Sequence, residues 1–375
     1  MSNSFSLVDR SIENRVAVWL AEQGLAPKVY GRFKNGRVEE FYANVEPLSC
    51  PVMKVYIPQI AESMADFHSL HAPSAVLPKP QSSSSSILSS SIFVTVDVWL
   101  KTAHELLLLA NQKKQQSPTS TLSSNDSNNN EIEFLNELQR EWTWLSDQLS
   151  EPPQPLATTT KNDPMESLAY IFIRQVVVTH MDCQPLNILV EKSTDDGGSS
   201  SSDSNDSSKK EIRLIDFEYA GWNSRASDIG NTFCEFCEMS NLCADYENEY
   251  PTTDHQDEYF RRYCKQSLQI PAASNNSGED INSVLTDLSN GRVDQPTIQQ
   301  FIETLQCPEN HPSSWKIVSA ALSKEVGRFS LISHLSWSLW SILKSQEDDG
   351  VPDFDYMVYA RHRMDGYEWA KKKFF

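Results

Sequence analysis

His180, Asp182 and Asn187 stand as H-x-D-x-x-x-x-N inside VVVTHMDCQPLNILV, Val176 to Val190. A β-rich apolar run is thus interrupted by an imidazole, a carboxylate and an amide, groups suited to proton transfer and metal binding. A second carboxylate, Asp216, follows directly on the apolar stretch IRLI. An amide oxygen and a carboxylate at one place are hard oxygen ligands, of the kind Mg²⁺ takes when it is shared with substrate phosphates. A loop aspartate that accepts the proton of an attacking hydroxyl, with Asn and a second Asp on the metal, is the arrangement of phosphoryl transfer. In it Asp182 is the base, Asn187 and Asp216 are the ligands, and His180 braces the loop, as the His of H-R-D precedes the Asp in protein kinases. The spacing alone is a weak signal; the strand, loop and I-D-F-E behind it strengthen it. D-F-G and A-P-E are absent, which argues against a protein kinase.

These groups meet only if the strands carrying them do. NILV and EIRLI flank the polar tract Ser193–Lys210 and read as two short neighbouring strands with an enlarged loop. Paired, they would bring Asn187 and Asp216 to one edge, with Asp182 across the loop. Earlier in the chain, Asp9 to Gly24 predicts a helix capped by Asp9, buried along Val16, Trp19 and Leu20 and stopped by Gly24. PKVYGRF and RVEEFY around Asn35–Gly36 predict a hairpin, and Val52 to His71 returns to helical spacing. EIEFLNELQREWTWLSDQL predicts an amphipathic helix with Phe134, Leu138, Trp142 and Leu145 inward. Trp315–Leu343 and Phe354–Lys373 are aromatic-rich and helix-like. Tracts such as Ser82–Ser86, Asn111–Asn130 and Ser193–Lys210 cannot bury enough apolar surface to offset chain ordering. They predict disordered insertions near 80–130 and 192–210.

The 375 residues are enough for two lobes, since single cores stop growing efficiently beyond roughly 250–300 residues. A formal charge of −19 argues against a nucleic-acid partner, which is held by clustered Lys and Arg, and favours a small cationic ligand. Seven cysteines, an odd number, after a start without a basic-then-apolar leader predict a reducing, cytosolic setting. The apolar runs fall far short of the roughly 18–20 residues needed for a membrane anchor.

HMDCQPLNILV followed by IRLIDFEYAGWNSRASDIGNTFCEF resembles the choline/ethanolamine kinase family, whose pattern is close to H-N-D-x-x-x-x-N-I-L and I-D-[FY]-E-Y-x-x-x-N-x-x-x-x-D-I-G-N-x-F-x-E. APKVYGRFKNGRVEEF, IAESMADFH, SHLSWSLWSI and FDYMVYARHRMDGY extend the likeness over nearly the whole chain outside the polar tracts. The resemblance implies an α+β, protein-kinase-like bilobal fold and ATP-dependent phosphorylation of an amino alcohol. It implies Asp182 as base, Asn187 and Asp216 as Mg²⁺ ligands that hold ATP, and Asp228 of DIGN as a brace. Glu218 and Tyr219 would approach the substrate. Trp337 and Trp340, and Tyr356 and Tyr359, each three apart on a helix, are ordinary core stripes by spacing. The likeness makes them a pocket in which aromatic faces hold an ammonium. It also implies pairing of two copies through the large lobe.

Family members begin with strands that carry a phosphate-covering loop and a basic residue. This chain opens at SFSLVDRSIENRV, so residues 1–45 are expected to be an incomplete small lobe and 46–375 a large, mainly helical one. Glu13 matches the helix glutamate on the nucleotide side, and its basic partner is expected to be missing. Two other readings follow: a non-catalytic subunit that pairs with an intact homologue, and an aminoglycoside-type phosphotransferase, which shares H-x-D-x-x-x-x-N but not the longer motif. Thr232 and Met181 replace the family's usual His and Asn. The spacing after CEF is nearer the ethanolamine-selective pattern and GRVEEF nearer the choline one, so ethanolamine is preferred slightly. Cys234, Cys237 and Cys243 lack the four ligands of a zinc site, and His68 and His71 are expected on a solvated helix face.

Overall fold

The computed structural model of the chain describes residues 7–34, 36–79, 87–115, 123–151, 163–192, 211–239, 244–269, 285–286, 289, 293–346 and 354–375. Asp9 caps α1 (Arg10–Glu22): its carboxylate accepts the N–H groups of Ser11 and Ile12, while Val16, Trp19 and Leu20 are buried. Gly24, at φ +75°, takes the left-handed turn that ends the helix. β1 (Val29–Phe33) and β2 (Gly36–Glu39) form the expected antiparallel hairpin; Asn35 itself lies outside the described residues. β3 (Val45–Pro47), α2 (Cys50–Met53) and α3 (Ile57–His68) follow, the last burying Ile60, Ala61, Met64 and Phe67.

The stretch near 80–130 is not one disordered insertion. Residues 80–86 and 116–122 lie outside the described residues, but between them runs α4 (Ser91–Gln115), and α5 (Ser123–Ser150) begins inside the Ser/Asn tract. The physical reason is burial. Phe93, Val96, Leu100, Ala103 and Leu107 give α4 an apolar stripe at helical spacing, and all are buried. In α5, Phe134, Leu138, Trp142 and Leu145 are buried as expected, each contributing about 1.5–3 kcal/mol of apolar burial. The tract 193–210 lies outside the described residues.

α6 (Pro164–Arg174) leads into β4 (Val176–Thr179), β5 (Ile188–Glu191), β6 (Ile212–Leu214) and β7 (Gly221–Ser224). β4 pairs antiparallel with β7, Thr179 opposite Gly221; β5 lies between β3 and β6 in a second antiparallel sheet, Ile188 opposite Leu214. The rest is helical: α7 (Arg225–Cys234), α8 (Tyr246–Glu249), α9 (Thr253–Gln269), α10 (Gln295–Gln306), α11 (Pro312–Lys344) and α12 (Tyr356–Phe374). The fold is therefore α+β, with small sheets set against a helical body. α11 is the central post, buried on nearly every side from Glu325 to Ser336. α7 crosses it closely at Gly230, where a Cβ would stand 2.9 Å from the Ser330 nitrogen. No helix among the described residues is long and apolar enough to cross a membrane.

Candidate active site

The turn after β4 carries the first group of residues. His180 is fully buried; its Nε2–H donates to the Ile215 carbonyl (3.0 Å) and its Nδ1 accepts the Asp182 N–H (3.2 Å). Burial holds its pKa below the ordinary histidine value, so the ring is neutral and ties the loop to the end of β6. Met181 follows at φ +64°, an unusual conformation for a long side chain, and turns Asp182 forward. Asp228, buried on α7, accepts the N–H groups of His180 (2.7 Å) and Met181 (2.8 Å) from behind.

Asp182 and Asn187 are joined directly. The Asn187 Nδ2 donates to both the carbonyl and the Oδ2 of Asp182, each at 2.9 Å, and Gln184 donates to the same Oδ2 at 3.3 Å. Since β5 and β6 are neighbours, the Ile215 N–H reaches the Asn187 carbonyl (3.0 Å), and Asp216 stands at the shared edge at φ +63°. Burial pushes the Asp182 pKa well above the ordinary carboxylate range, and the charges of Glu235, Asp216 and Glu218 add to the rise. Glu218 is raised too, first by burial and then by Asp216. Acids crowded in this way call for a cation.

The donor set fits a shared Mg²⁺. The Asn187 amide nitrogen is committed to Asp182, and its oxygen accepts no hydrogen bond among the described residues. Nor is the exposed Asp216 carboxylate engaged there by any hydrogen bond or ion pair. Among the described residues no cluster of three or more His, Cys, Asp and Glu could hold a metal.

In front of this edge lies a cleft of about 450 Å³. Asp182, Asp216, Glu218, Glu235 and Glu238 supply its acidic wall; Tyr219, Trp337, Trp340, Phe354 and Tyr359 supply its aromatic wall. The aromatic wall is tied to the strand edge that carries Asp216, because the Trp340 Nε1 donates to the Tyr219 hydroxyl (2.8 Å) and Tyr219 packs edge-on against Trp337, centroids 5.2 Å apart. Tyr356 does not line the cleft. It packs against Trp340 and Phe354 at the start of α12, while Tyr359 faces inward.

Glu13 is not left without a base. Arg10 one turn earlier (2.8 Å) and Arg37 from the hairpin (2.7 Å) both reach its carboxylate. Burial would raise the Glu13 pKa, but these two hydrogen bonds outweigh it and hold the pKa low. Arg10 also reaches Glu218 (2.9 Å), so it bridges Glu13 to the neighbourhood of Asp216. His68 is likewise misplaced by the solvated-face reading: it is fully buried, bonded to Asp228 and Tyr263, while His71 is exposed beyond the helix end. Thr232, buried on α7, spends its hydroxyl on the Asp228 carbonyl (2.9 Å). Cys234 and Cys237 are buried free thiols; Cys243 lies outside the described residues.

The choline/ethanolamine kinase family profile matches residues 2–368. The chain belongs to that family. It is 28% identical over 366 residues to Choline kinase alpha of Mus musculus, covering 96% of this chain and 61% of that protein. To Ethanolamine kinase 1 of Mus musculus it is 25% identical, covering 96% and 72%. Among solved structures, choline kinase from Cryptosporidium parvum aligns with a TM-score of 0.58 at 21% identity (98% and 80% covered). Plasmodium vivax ethanolamine kinase aligns at 0.53 and 19% (96% and 73%). These likenesses show the protein-kinase-like fold. The chain spans about three fifths of the length of the mouse choline kinase it matches.

Sequence reasoning passed over Glu235, Glu238, Phe354 and Arg10. Glu235 closes the D-I-G-N-x-F-x-E pattern, a signal that could have found it; it lines the cleft and is held by the fully buried Arg363 at 3.0 Å. Phe354 opens an aromatic run and could have been read with it. Nothing local marks Arg10, whose partner Glu218 is 208 residues away.

Proposed function

We propose that the protein transfers the γ-phosphoryl group of ATP to the hydroxyl of ethanolamine or choline, forming the phosphomonoester and ADP, the first step of phosphatidylethanolamine and phosphatidylcholine synthesis. The observation that carries this reading is the convergence of Asp182, Asn187 and Asp216 on one edge of an acidic and aromatic cleft. Asp182 accepts the hydroxyl proton as the substrate oxygen bonds to the γ-phosphorus; the bond from that phosphorus to the β–γ bridging oxygen breaks, and ADP leaves. A pKa raised by burial makes Asp182 a better base near neutral pH. The Asn187 amide holds that carboxylate in place while its oxygen, with Asp216, faces the phosphates' side. Mg²⁺ bound there would neutralise charge on the transferring group. Arg10, exposed and held by Glu13 and Glu218, adds positive charge beside that edge.

The aromatic faces of Trp337, Trp340 and Tyr359 suit an ammonium, each worth about 0.5–2 kcal/mol. A primary ammonium also has N–H donors for the acidic wall, which a quaternary one lacks, so ethanolamine is slightly preferred. The free thiols among the described residues accord with a reducing, cytosolic setting, and two copies are expected to pair as in the family. The test is ATP-dependent formation of phosphoethanolamine or phosphocholine by the chain and by Asp182→Ala. The variant should be slower by roughly 10²–10⁴-fold. Equal rates would sink the assigned base, and a wild-type protein that turns over neither amine would remove the reading.

A further inference from the structure

Five carboxylates line the cleft, and four of them have a place in the phosphoryl transfer or its support. Asp182 is held by Asn187 and Gln184, and Asp216 stands at the strand edge. Glu218 is met by Arg10 at 2.9 Å and Glu235 by the buried Arg363 at 3.0 Å. The fifth, Glu238, takes part in no step of the transfer. The chain nonetheless builds it into a fixed position. The Met239 N–H donates to the Cys237 carbonyl at 2.8 Å, a three-residue turn with Glu238 at its centre. Cys237 and Met239 are buried on either side of it, whereas Glu238 is half-buried and lines the cleft.

The Glu238 N–H donates to the Glu249 carboxylate (3.0 Å), which also accepts the Asp245 N–H (3.2 Å), so α8 pins the turn. At the side chain, the Cys50 thiol bonds to the Glu238 carboxylate. Burial, with Glu238 and other acids nearby, pushes that thiol up to about 12, so it stays protonated as a weak donor. A further carboxylate in a cleft that already holds four makes every one of them harder to ionise. A cation that carries N–H groups offsets this cost by charge and by hydrogen bonds together. The aromatic wall differs, because ring faces attract a cation whatever its substituents. A trimethylammonium group at Glu238 would cover the carboxylate with methyl groups and offer no donor, an arrangement that rejects the wrong ligand.

We infer that Glu238 is a specificity-determining residue: it accepts an N–H of the substrate ammonium and so ranks amino alcohols by how many N–H groups their nitrogen carries, primary before quaternary. The inference rests on the reading of this cleft as an amino-alcohol site, and it assigns the selection within that site to one side chain. The aromatic wall then recognises charge, and Glu238 recognises protons on nitrogen.

The test measures calorimetric binding of ethanolamine, N-methylethanolamine, N,N-dimethylethanolamine and choline to the full chain at neutral pH. All four are cations there, and their N–H groups fall one at a time along the series to none in choline. Wild-type affinity should fall along the series by about 10-fold or more from first to last. Glu238→Gln keeps the shape of the side chain and can still accept the Cys50 thiol, but it loses the charge. It should weaken ethanolamine by about 10-fold, leave choline within about 2-fold and flatten the series. In turnover with ATP the same ratios should appear in KM rather than in kcat, since this contact is made equally in the ground and transition states. Binding needs no turnover, so an inactive wild type that still discriminates would remove the phosphoryl-transfer reading and leave the selectivity supported. A series equally steep in wild type and Glu238→Gln, a loss shared equally by all four amines, or wild-type binding of none of them would each overturn the proposal. Should Glu238→Gln fail to fold, a Glu238→Ala series as steep as that of wild type would overturn it as well.

Discussion

The two sides of the loop at 180–187 differ in how their polar groups are satisfied. Behind it, Asp228 accepts from His68, His180 and Met181, and each of these bonds is closed by another group in the core. In front of it, Asp182, Asp216 and Glu218 crowd together, Asp216 has no partner among the described residues, and burial holds Asp182 towards its neutral form. The rear carboxylate has its pKa held low: burial would raise it, but the bond from His68 and the His180 N–H win. One fold thus lowers the pKa of one acid by satisfying it and raises that of another by burying it with fewer donors. The difference shows that geometry is set at the back and valence is left open at the front.

That contrast can be broken most directly at Asp228. Asp228→Ala removes one end of a buried charged network and leaves two backbone N–H groups and an arginine uncompensated, so unfolding free energy should drop by about 3–5 kcal/mol in denaturant titration. A loss within experimental error would mean the rear network stabilises nothing.

Acid should attack the back before the front. His68, His180 and His334 have folded pKa values lowered chiefly by burial, so below the unfolded value near 6.5 the unfolded chain binds protons that the native state refuses. Their contribution is present above that pH and lost as pH falls through it, at about 1.4 kcal/mol per pH unit for each histidine that stays neutral. Thermal midpoints measured from pH 7.5 to 5.5 should fall steeply below pH 6.5; a flat profile would show that these rings protonate in the folded protein.

At the front the sign reverses. Asp182→Asn removes a charge that burial and Glu235 disfavour, so its thermal midpoint should equal or exceed that of wild type although activity is lost. A destabilised Asp182→Asn would end the contrast. The smallest effect belongs to Arg10→Ala: Arg10 is largely exposed, and its pairs with Glu13 and Glu218 should be worth no more than about 1 kcal/mol in stability. Its readout is KM for ATP, which should rise if Arg10 faces the phosphates and stay constant if it only ties α1 to Glu218.

Much of this was legible before any coordinates. The cap at Asp9, the turn at Gly24, the stripe of α5 and the pairing of NILV with IRLI all follow from local periodicity and turn chemistry, and the structure has each of them. What escaped was non-local. A polar tract next to an apolar stripe hid α4, because composition averaged over 80–130 conceals the seven-residue pattern within it. The partners of Glu13 and the burial of His68 depend on elements far apart in the chain, α1 with the hairpin and α3 with α7 and α9.

Sequence by itself determined the chemistry available: a carboxylate, an amide and a second carboxylate at strand ends, and aromatic residues at helical spacing. Only the tertiary structure decided which of these share a cleft, that Tyr359 and not Tyr356 lines it, and that a histidine on α3 stands behind the turn at His180–Met181. The reason is range. Periodicity reports on neighbours within a few residues, whereas the pKa, pairing and orientation of a buried group are set by whatever the fold packs against it.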